Sequence, residues 1–404
     1  DEEPHWDRLV DCDNEENISY DWSLVDRVYD VLVEHNMRPI VETMGVPWCL
    51  RREDVRDQNF HLPRDYKQWR QLMRDFTQHC QDRYGAEEVA RWYFEIWNEP
   101  DGVEFWRTRP ETLYALYDYM VDGVQSVNPK ARVGGPATMQ GQAALAVFDG
   151  FLQHCTDGVN FATGGWGARL DFISVHCKGG EPHGIPSPSM PELFNTIEEY
   201  LQIIRDKYPN FRNVEFLNDE SDVIWGGTAG LQYSSWMNFR NTHYFPGFVC
   251  KMVDWYCRIV EDKHETSFAV MDSDNCHINW EPYLFSGNRS QLTPLMEYPS
   301  TDLLRKPSFN AYVLLSRLGN QRLAVECGAA GFGEKFGVLP TRRDDSLAFM
   351  LWNFEDGMEE GVNPRRFRLA LSAGDLKGSY RKIHYRIDEN HSSIYKLWKE
   401  QGKP

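Results

Sequence analysis

The sequence predicts a parallel α/β barrel of the (β/α)8 type, followed by an antiparallel β-domain. Three observations carry this. Helix and strand signals alternate from residue 21 to about residue 319. The strands in that region are nearly all apolar, as in parallel sheets buried on both faces. Polar or acidic residues (Glu42, Glu99, Lys178, Glu220 and Asp274) fall at or just past the C-terminal ends of different strands, the face on which such barrels gather their reactive groups. A chain of 404 residues can bury one large core and still carry a second, smaller domain. The expected division is 1–319 for the barrel and 320–404 for the β-domain.

The elements follow in order. Leu24, Val28 and Leu32 recur at helical spacing, and "RPIVETMG" (38–45) reads as a short strand. Trp69, Leu72, Met73, Phe76 and Cys80 mark a helix that Gly85 can end. "WYFEIWNEP" is a strand, a helix starts near Pro110, and "RVGGPA" (132–137) is the next strand. "LDFISVHCKGG" (170–180) runs from an apolar strand into glycines, and Ser189 with Glu192 forms a capping box for the helix after it. "NVEFLNDES" (213–221) is strand, 248–260 helix, 267–275 strand, and "SFNAYVLLSRLG" a last helix. Only six strands can be counted, so the first two strands of a barrel are expected to lie outside this chain. Beyond residue 320, "RLAVECGAAGFGEKFGVLP", "SLAFMLWNF", "RFRLALSA" and "SYRKIHYRI" alternate in the manner of antiparallel strands.

Composition excludes several classes. With 41% hydrophobic and 26% charged residues the chain is an ordinary globular protein, and it has no run of about 18 apolar residues that could cross a membrane. A net charge of −18 argues against nucleic acid, whose phosphates are met by Lys and Arg. The start, "DEEPHWDRLV", lacks the features of a signal peptide. Nine cysteines without a CxxC pair show neither a zinc site nor a disulfide framework, and Cys250 and Cys257 lie too far apart along a helix to bridge. The acidic run 11–17 lacks the glycine and terminal glutamate of a calcium loop and reads as a solvated loop. Sequons at Asn17, Asn288 and Asn390 would fit a secreted or lysosomal protein.

The chemistry concentrates at two strand ends. Glu99 closes "FEIWNEPD" and Glu220 closes "NVEFLNDE". Two carboxylates on one face, roughly 5–5.5 Å apart, are what retaining glycoside hydrolysis needs: one protonates the leaving oxygen and the other attacks the anomeric carbon. Asn98 is placed to hydrogen-bond a substrate hydroxyl beside the scissile bond. His176 could contact another hydroxyl, or be structural. Trp97, Trp225 and Trp280 could wall a sugar or simply pack the core, and Glu95, which points opposite to its neighbours in the strand, reads as a structural ion-pair member.

"FEIWNEPD", "DFISVHCKGG", "NVEFLNDESD" and "MDSDN" resemble the corresponding segments of α-L-iduronidases of glycoside hydrolase family 39, a family that also contains β-xylosidases. The similarity runs from about Ile18 into the β-domain. It implies a retaining mechanism with Glu99 as acid/base and Glu220 as nucleophile, and needs no cofactor or metal. The iduronidase branch further implies a cradle for the sugar carboxylate. Lys178, Gly226 and Asp274 with Asn275 match its positions, and Arg289 matches if one residue has been inserted. The expected partner is therefore a uronate-containing oligosaccharide of the glycosaminoglycan type. A neutral β-xyloside is the first alternative and a non-catalytic glycan-binding relative the second.

Overall fold

The computed structural model describes residues 9–14, 17–52, 61–180, 188–225, 230–231, 235–268, 281–296, 301–356, 365–368, 370 and 378–402. The chain forms two compact units, the first of Asp1–Cys177, Thr196–Asp219 and Glu265–Val270, the second of Lys178–Asn195, Glu220–His264 and Met271–Pro404.

The first unit opens on a hairpin, β1 (Val10–Asn14) antiparallel to β2 (Asn17–Tyr20). This corrects the solvated loop expected there. The hairpin is also tied covalently, since Cys12 forms a disulfide with Cys49, 37 residues on, in the turn Trp48–Leu50. No local spacing announces a bridge of that reach. Cys80, Cys155, Cys177, Cys250, Cys257 and Cys327 take no part in a disulfide.

Helices and parallel strands then alternate: α1 (Ser23–Glu34), β3 (Ile40–Glu42), α2 (Tyr66–Tyr84), α3 (Ala86–Val89), β4 (Tyr93–Glu95), α4 (Pro110–Val127), β5 (Arg132–Thr138), α5 (Gln142–Asp157), β6 (Phe172–Val175), α6 (Met190–Lys207) and β7 (Glu215–Asn218). The boundaries have local causes. Asp65 caps α2 by accepting from the Lys67 amide at 2.8 Å, and Gly85, at φ 91°, ends it in a conformation that other residues avoid. Pro110 occupies the first turn of α4, where no amide is needed. Gly123 lets α4 lie against α2, since a Cβ there would stand 2.6 Å from the Arg70 carbonyl oxygen. The expected cap of α6 is present in part, with the Glu192 amide donating to the Ser189 hydroxyl at 3.3 Å.

β3, β4, β5, β6 and β7 form one parallel sheet in that spatial order. The Phe216 amide donates to the Ser267 carbonyl at 2.8 Å, which sets the start of the sixth predicted strand beside β7. From residue 269 to 280 the chain lies outside the described residues. Strand alternation sorts the side chains. Phe94 meets Phe76 of α2, with ring centroids 6.2 Å apart, whereas Tyr93 turns the other way and packs with Phe172, Leu217 and Ile40. This inner apolar layer is closed near the strand starts by a lateral lock. The Tyr93 hydroxyl donates to Glu215 at 2.8 Å, and Arg132, stacked 4.8 Å from the Tyr93 ring, pairs with Glu215 at 2.9 Å.

The second unit holds α7 (Tyr244–Trp255), which widens into a π-helix over Tyr256–Lys263. β8 (Leu292–Pro294) pairs antiparallel with β9 (Leu303–Arg305), and α8 (Pro307–Leu315) follows. Next comes an antiparallel sheet of β10 (Gln321–Arg322), β11 (Phe336–Arg343) and β12 (Ser346–Asn353), and α9 (Tyr395–Glu400) comes last. The Trp352 indole donates to the buried Asp254 carboxylate at 2.9 Å, tying this sheet to α7. The run 379–387, expected as a strand, is irregular, and Tyr380, Ile383 and Tyr385 are more than half exposed. Alternation alone does not make a strand when no neighbouring strand takes up its hydrogen bonds. Half of the other predicted strand, 369 and 371–373, lies outside the described residues. Among the described residues no helix is long and apolar enough to cross a membrane.

The disulfide generates a prediction. Closing 37 residues removes enough freedom from the unfolded chain to contribute roughly 2–4 kcal/mol. Cys12→Ser should lower the stability in urea by about that amount, and dithiothreitol should destabilise the parent but leave the variant unchanged.

Candidate active site

In the first unit the site is built at the end of β4. Trp97 and Glu99 both hold left-handed backbone, at φ 58° and 44°, a conformation that costs residues with a Cβ about 1 kcal/mol or more each. The end of β5 holds the bend in place. The Glu99 amide donates to the Ala137 carbonyl at 3.0 Å, and the Asp101 carboxylate accepts from the Met139 amide at 3.0 Å. The Trp97 indole donates to the Phe105 carbonyl at 3.0 Å and packs edge-on to Trp106, so Trp97 is core and not a sugar wall. Local strain fixed by surrounding structure is typical of functional sites.

The bend aims Glu99 at His176. Its Oε1 lies 3.0 Å from Nδ1 of the imidazole, while Nε2 of the same ring lies 3.6 Å from Oδ1 of Asp219. All three side chains are nearly out of water, at 12%, 2% and 9% exposure for Glu99, His176 and Asp219. Asn98 is buried beside Glu99, and its Oδ1 has no hydrogen-bond partner among the described residues.

Two further carboxyls belong to this neighbourhood. Burial pushes Asp101 up to about 6, against the hydrogen bond from Met139, and the Glu99 charge adds to the rise. Burial first, then the Asp219 charge, holds Glu95 well above the ordinary carboxylate range. The ion pair expected of Glu95 is corrected here. Ser174, Asp219 and Glu42 are the groups acting on it, none of them a cation, because the inner face of the sheet above the Tyr93 layer is lined with acids.

In the second unit Glu220 pairs with Lys178, Nζ to Oε2 at 2.6 Å. Lys178 also bridges in parallel with Asp222 through the backbone. The Asp222 carboxylate accepts from Arg240 at 2.9 Å and from the Val223 amide at 2.6 Å. Desolvation lowers the pKa of Arg240, opposed by Asp222 and Glu281. Nearby in sequence, Lys306 and Glu281 form a fully buried pair at 2.6 Å, and Lys306 also donates to the Asn288 carbonyl at 3.1 Å. Arg289 is buried, at 5% exposure.

The structure thus brings His176 to Glu99 and Lys178 to Glu220. Gly226, Asp274, Asn275 and Trp280 lie outside the described residues, and Trp225 is partly exposed. Sequence reasoning passed over Asp219 and Asp101. The signal for Asp219 was present, since Glu215, Leu217 and Asp219 share one face of β7 and its extension.

Carboxyl groups gathered past the C-terminal ends of a parallel β/α sheet are the equipment of a glycoside hydrolase. The sequence pattern of glycosyl hydrolases family 39 matches residues 8–404, and the chain belongs to that family. It is 32% identical to a β-xylosidase of Caldicellulosiruptor saccharolyticus over 96% of this chain and 74% of the relative. It is 28% identical to human α-L-iduronidase over 78% of this chain and 46% of the relative, so it spans about half the length of that protein. Among solved structures, a bacterial orthologue of human α-L-iduronidase superposes with a TM-score of 0.74 at 24% identity, covering 87% of this chain and 57% of that one, a likeness of fold.

Asp101 provides a test of the site's electrostatics. Its folded pKa, about 6, lies above the reference 3.8, so the folded state holds a proton that the unfolded state releases, and stability falls as pH rises through that window. Asp101→Asn keeps the acceptor for Met139 and removes this cost. The melting temperature of the variant relative to the parent should therefore rise between pH 4 and pH 7 (roughly the window those values set); a constant difference would refute the assignment.

Proposed function

We propose that the chain is a retaining glycoside hydrolase that removes terminal uronic acid residues, α-L-iduronides of glycosaminoglycan-type oligosaccharides, and that its parallel sheet belongs to a (β/α)8 barrel. In the first step the Glu220 carboxylate attacks the anomeric carbon while Glu99 gives its proton to the leaving oxygen. In the second, Glu99 takes a proton from water, which attacks the same carbon and frees Glu220. Asn98 hydrogen-bonds a hydroxyl of the sugar as positive charge develops on the ring. Gly226, Asp274 and Arg289 belong to the same substrate cradle by resemblance.

The observation that carries the uronate reading is the ion pair of Lys178 with Glu220. It sets a fixed cation at the nucleophile of a chain whose net charge is −18, and a carboxylate on the sugar can share it. The pair changes what removal of Lys178 should do. Lys178 supports Glu220 whatever the sugar, so activity on every glycoside should fall. The specific signature is the ratio. A charge-assisted hydrogen bond contributes on the order of 1.5–3 kcal/mol, so Lys178→Ala should lower kcat/KM for an α-L-iduronide roughly 10-fold or more beyond its effect on a neutral glycoside.

The β-xyloside reading is supported by the 32% identity to the Caldicellulosiruptor β-xylosidase. Hydrolysis of 4-methylumbelliferyl α-L-iduronide and β-xyloside by the parent decides between them, and a preference for the xyloside would end the uronate reading. Turnover of neither would favour a glycan-binding role. A secreted or lysosomal setting is supported by the Cys12–Cys49 disulfide and by exposed sequons at Asn17 and Asn390, while Asn288 is buried.

The roles of the two glutamates have their own test. Glu220→Gln should abolish turnover. Glu99→Gln should spare the glycosylation step for activated leaving groups, which need little protonation. If azide restored Glu220→Ala but not Glu99→Ala with retained configuration, the roles would be reversed.

A further inference from the structure

Behind Glu99 the inner face of the sheet carries a continuous set of polar groups that the two-step reaction does not use. On β4, Glu95 follows Tyr93 on the inner face, one layer above the apolar packing of Tyr93, Phe172 and Leu217. On β6 the same face continues from Phe172 through Ser174 to His176, and on β7 from Leu217 to Asp219. Glu42, the register partner of Glu95 on β3, is itself exposed and adds its negative charge from the edge of this layer. Glu95 is 1% exposed, and its Oε1 has no hydrogen-bond partner among the described residues. A carboxylate anion placed there, beside Asp219 and Glu42 with Ser174 as its one neutral donor, would be desolvated and repelled together.

We propose that Glu95, Asp219 and His176 are positioning residues that prepare Glu99 for its acid/base role. Glu95, as a neutral carboxylic acid, donates to the Asp219 carboxylate. Asp219, whose Oδ1 lies 3.6 Å from Nε2 of His176, favours through its charge the tautomer with the proton on Nε2, and Nδ1 of His176 then accepts the hydrogen bond of protonated Glu99. The 3.0 Å contact of Nδ1 with Glu99 and the 3.6 Å approach of Nε2 to Asp219 are the observed links. The groups facing this file are Glu42 and Ser174 at Glu95, and Asp101 near Glu99 and His176. Over a catalytic cycle the file gains and loses no proton. Glu99 gives one to the leaving oxygen and recovers one from water, and the lone pair of Nδ1 orients its carboxyl at both ends. His176 is accordingly assigned to Glu99 and not to a sugar hydroxyl.

This inference rests on Glu99 as the acid/base of the proposed reaction and not on the identity of the sugar. The parent, Glu95→Leu and Glu95→Gln are compared on dinitrophenyl and methylumbelliferyl glycosides of whichever sugar the parent hydrolyses, with melting temperature followed alongside. Glu95→Leu should lose roughly 10- to 100-fold in the glycosylation rate on the poorer leaving group and much less on the activated one. Glu95→Gln, whose amide can donate from the same place, should recover most of that loss. Equal losses on both leaving groups, or a glutamine variant no better than leucine, would overturn the proposal. Infrared difference spectra supply a reading independent of activity: a carboxylic acid C=O stretch at neutral pH in the parent that is missing in Glu95→Gln is expected, and carboxylate bands alone refute a neutral Glu95. If Glu99→Gln itself showed no leaving-group dependence, the catalytic assignment would be at fault, while the spectra would still decide the state of Glu95.

Discussion

The acids on the inner face of the parallel sheet set the terms for the first unit. Strand alternation leaves no choice about where Glu42, Glu95 and Asp219 go once Tyr93, Phe172 and Leu217 form the apolar layer. Glu42 is exposed, but Glu95 and Asp219 are nearly out of water, and neighbouring carboxyls in a region of low dielectric repel one another when both are ionised. The chain meets this with one buried imidazole between Glu99 and Asp219 and with a carboxyl, Glu95, whose pKa burial and the Asp219 charge raise. The strained bend at Trp97 and Glu99 is the local consequence. Only by leaving the strand in left-handed backbone, anchored on Ala137 and Met139, does Glu99 reach the imidazole.

The second unit handles its charges in the opposite way, by pairing. Burying an ion costs several kcal/mol unless a partner and further hydrogen bonds compensate. Glu281 with Lys306 and Asp222 with Arg240 are both almost completely out of water, and each has an additional backbone partner, the Asn288 carbonyl in one case and the Val223 amide in the other. Such pairs are weak evidence for stability, but breaking one is costly. They therefore fix the segments that carry them, including the stretch from Glu220 to Val223 and the loop containing Arg289.

Much of this was legible in the sequence. The helix over Trp69 to Cys80, its end at Gly85, the start at Pro110 and the strands before Glu99 and Glu220 follow from apolar spacing and from residues whose backbone preferences are strong. The two glutamates stood out because a carboxylate at the end of an apolar strand needs a reason. What escaped was long-range. Cys12 and Cys49 meet only after the hairpin and the turn are folded, and the strand expected at 379–387 failed for want of a neighbour, not of pattern. Glu95 looked like an ion-pair member because sequence reports charge but not what surrounds it. Asp219 was hidden in plain alternation beside a more conspicuous glutamate.

The pairing of Lys178 with Glu220 fixes a cation against a carboxylate just past the end of β7. At contact distance a unit charge pair in water interacts by about 1 kcal/mol, and by about 4 kcal/mol at an effective dielectric near 20. Lys178 is 10% and Glu220 34% exposed, so their attraction belongs nearer the second regime than the first, and it restrains the Glu220 carboxylate. A neutral sugar leaves that restraint in place. A sugar carboxylate that shared the ammonium, as the proposed function requires, would draw part of its charge away from Glu220. On the function proposed above, selectivity for a charged sugar and readiness of the nucleophile would then depend on the same ammonium group, that of Lys178.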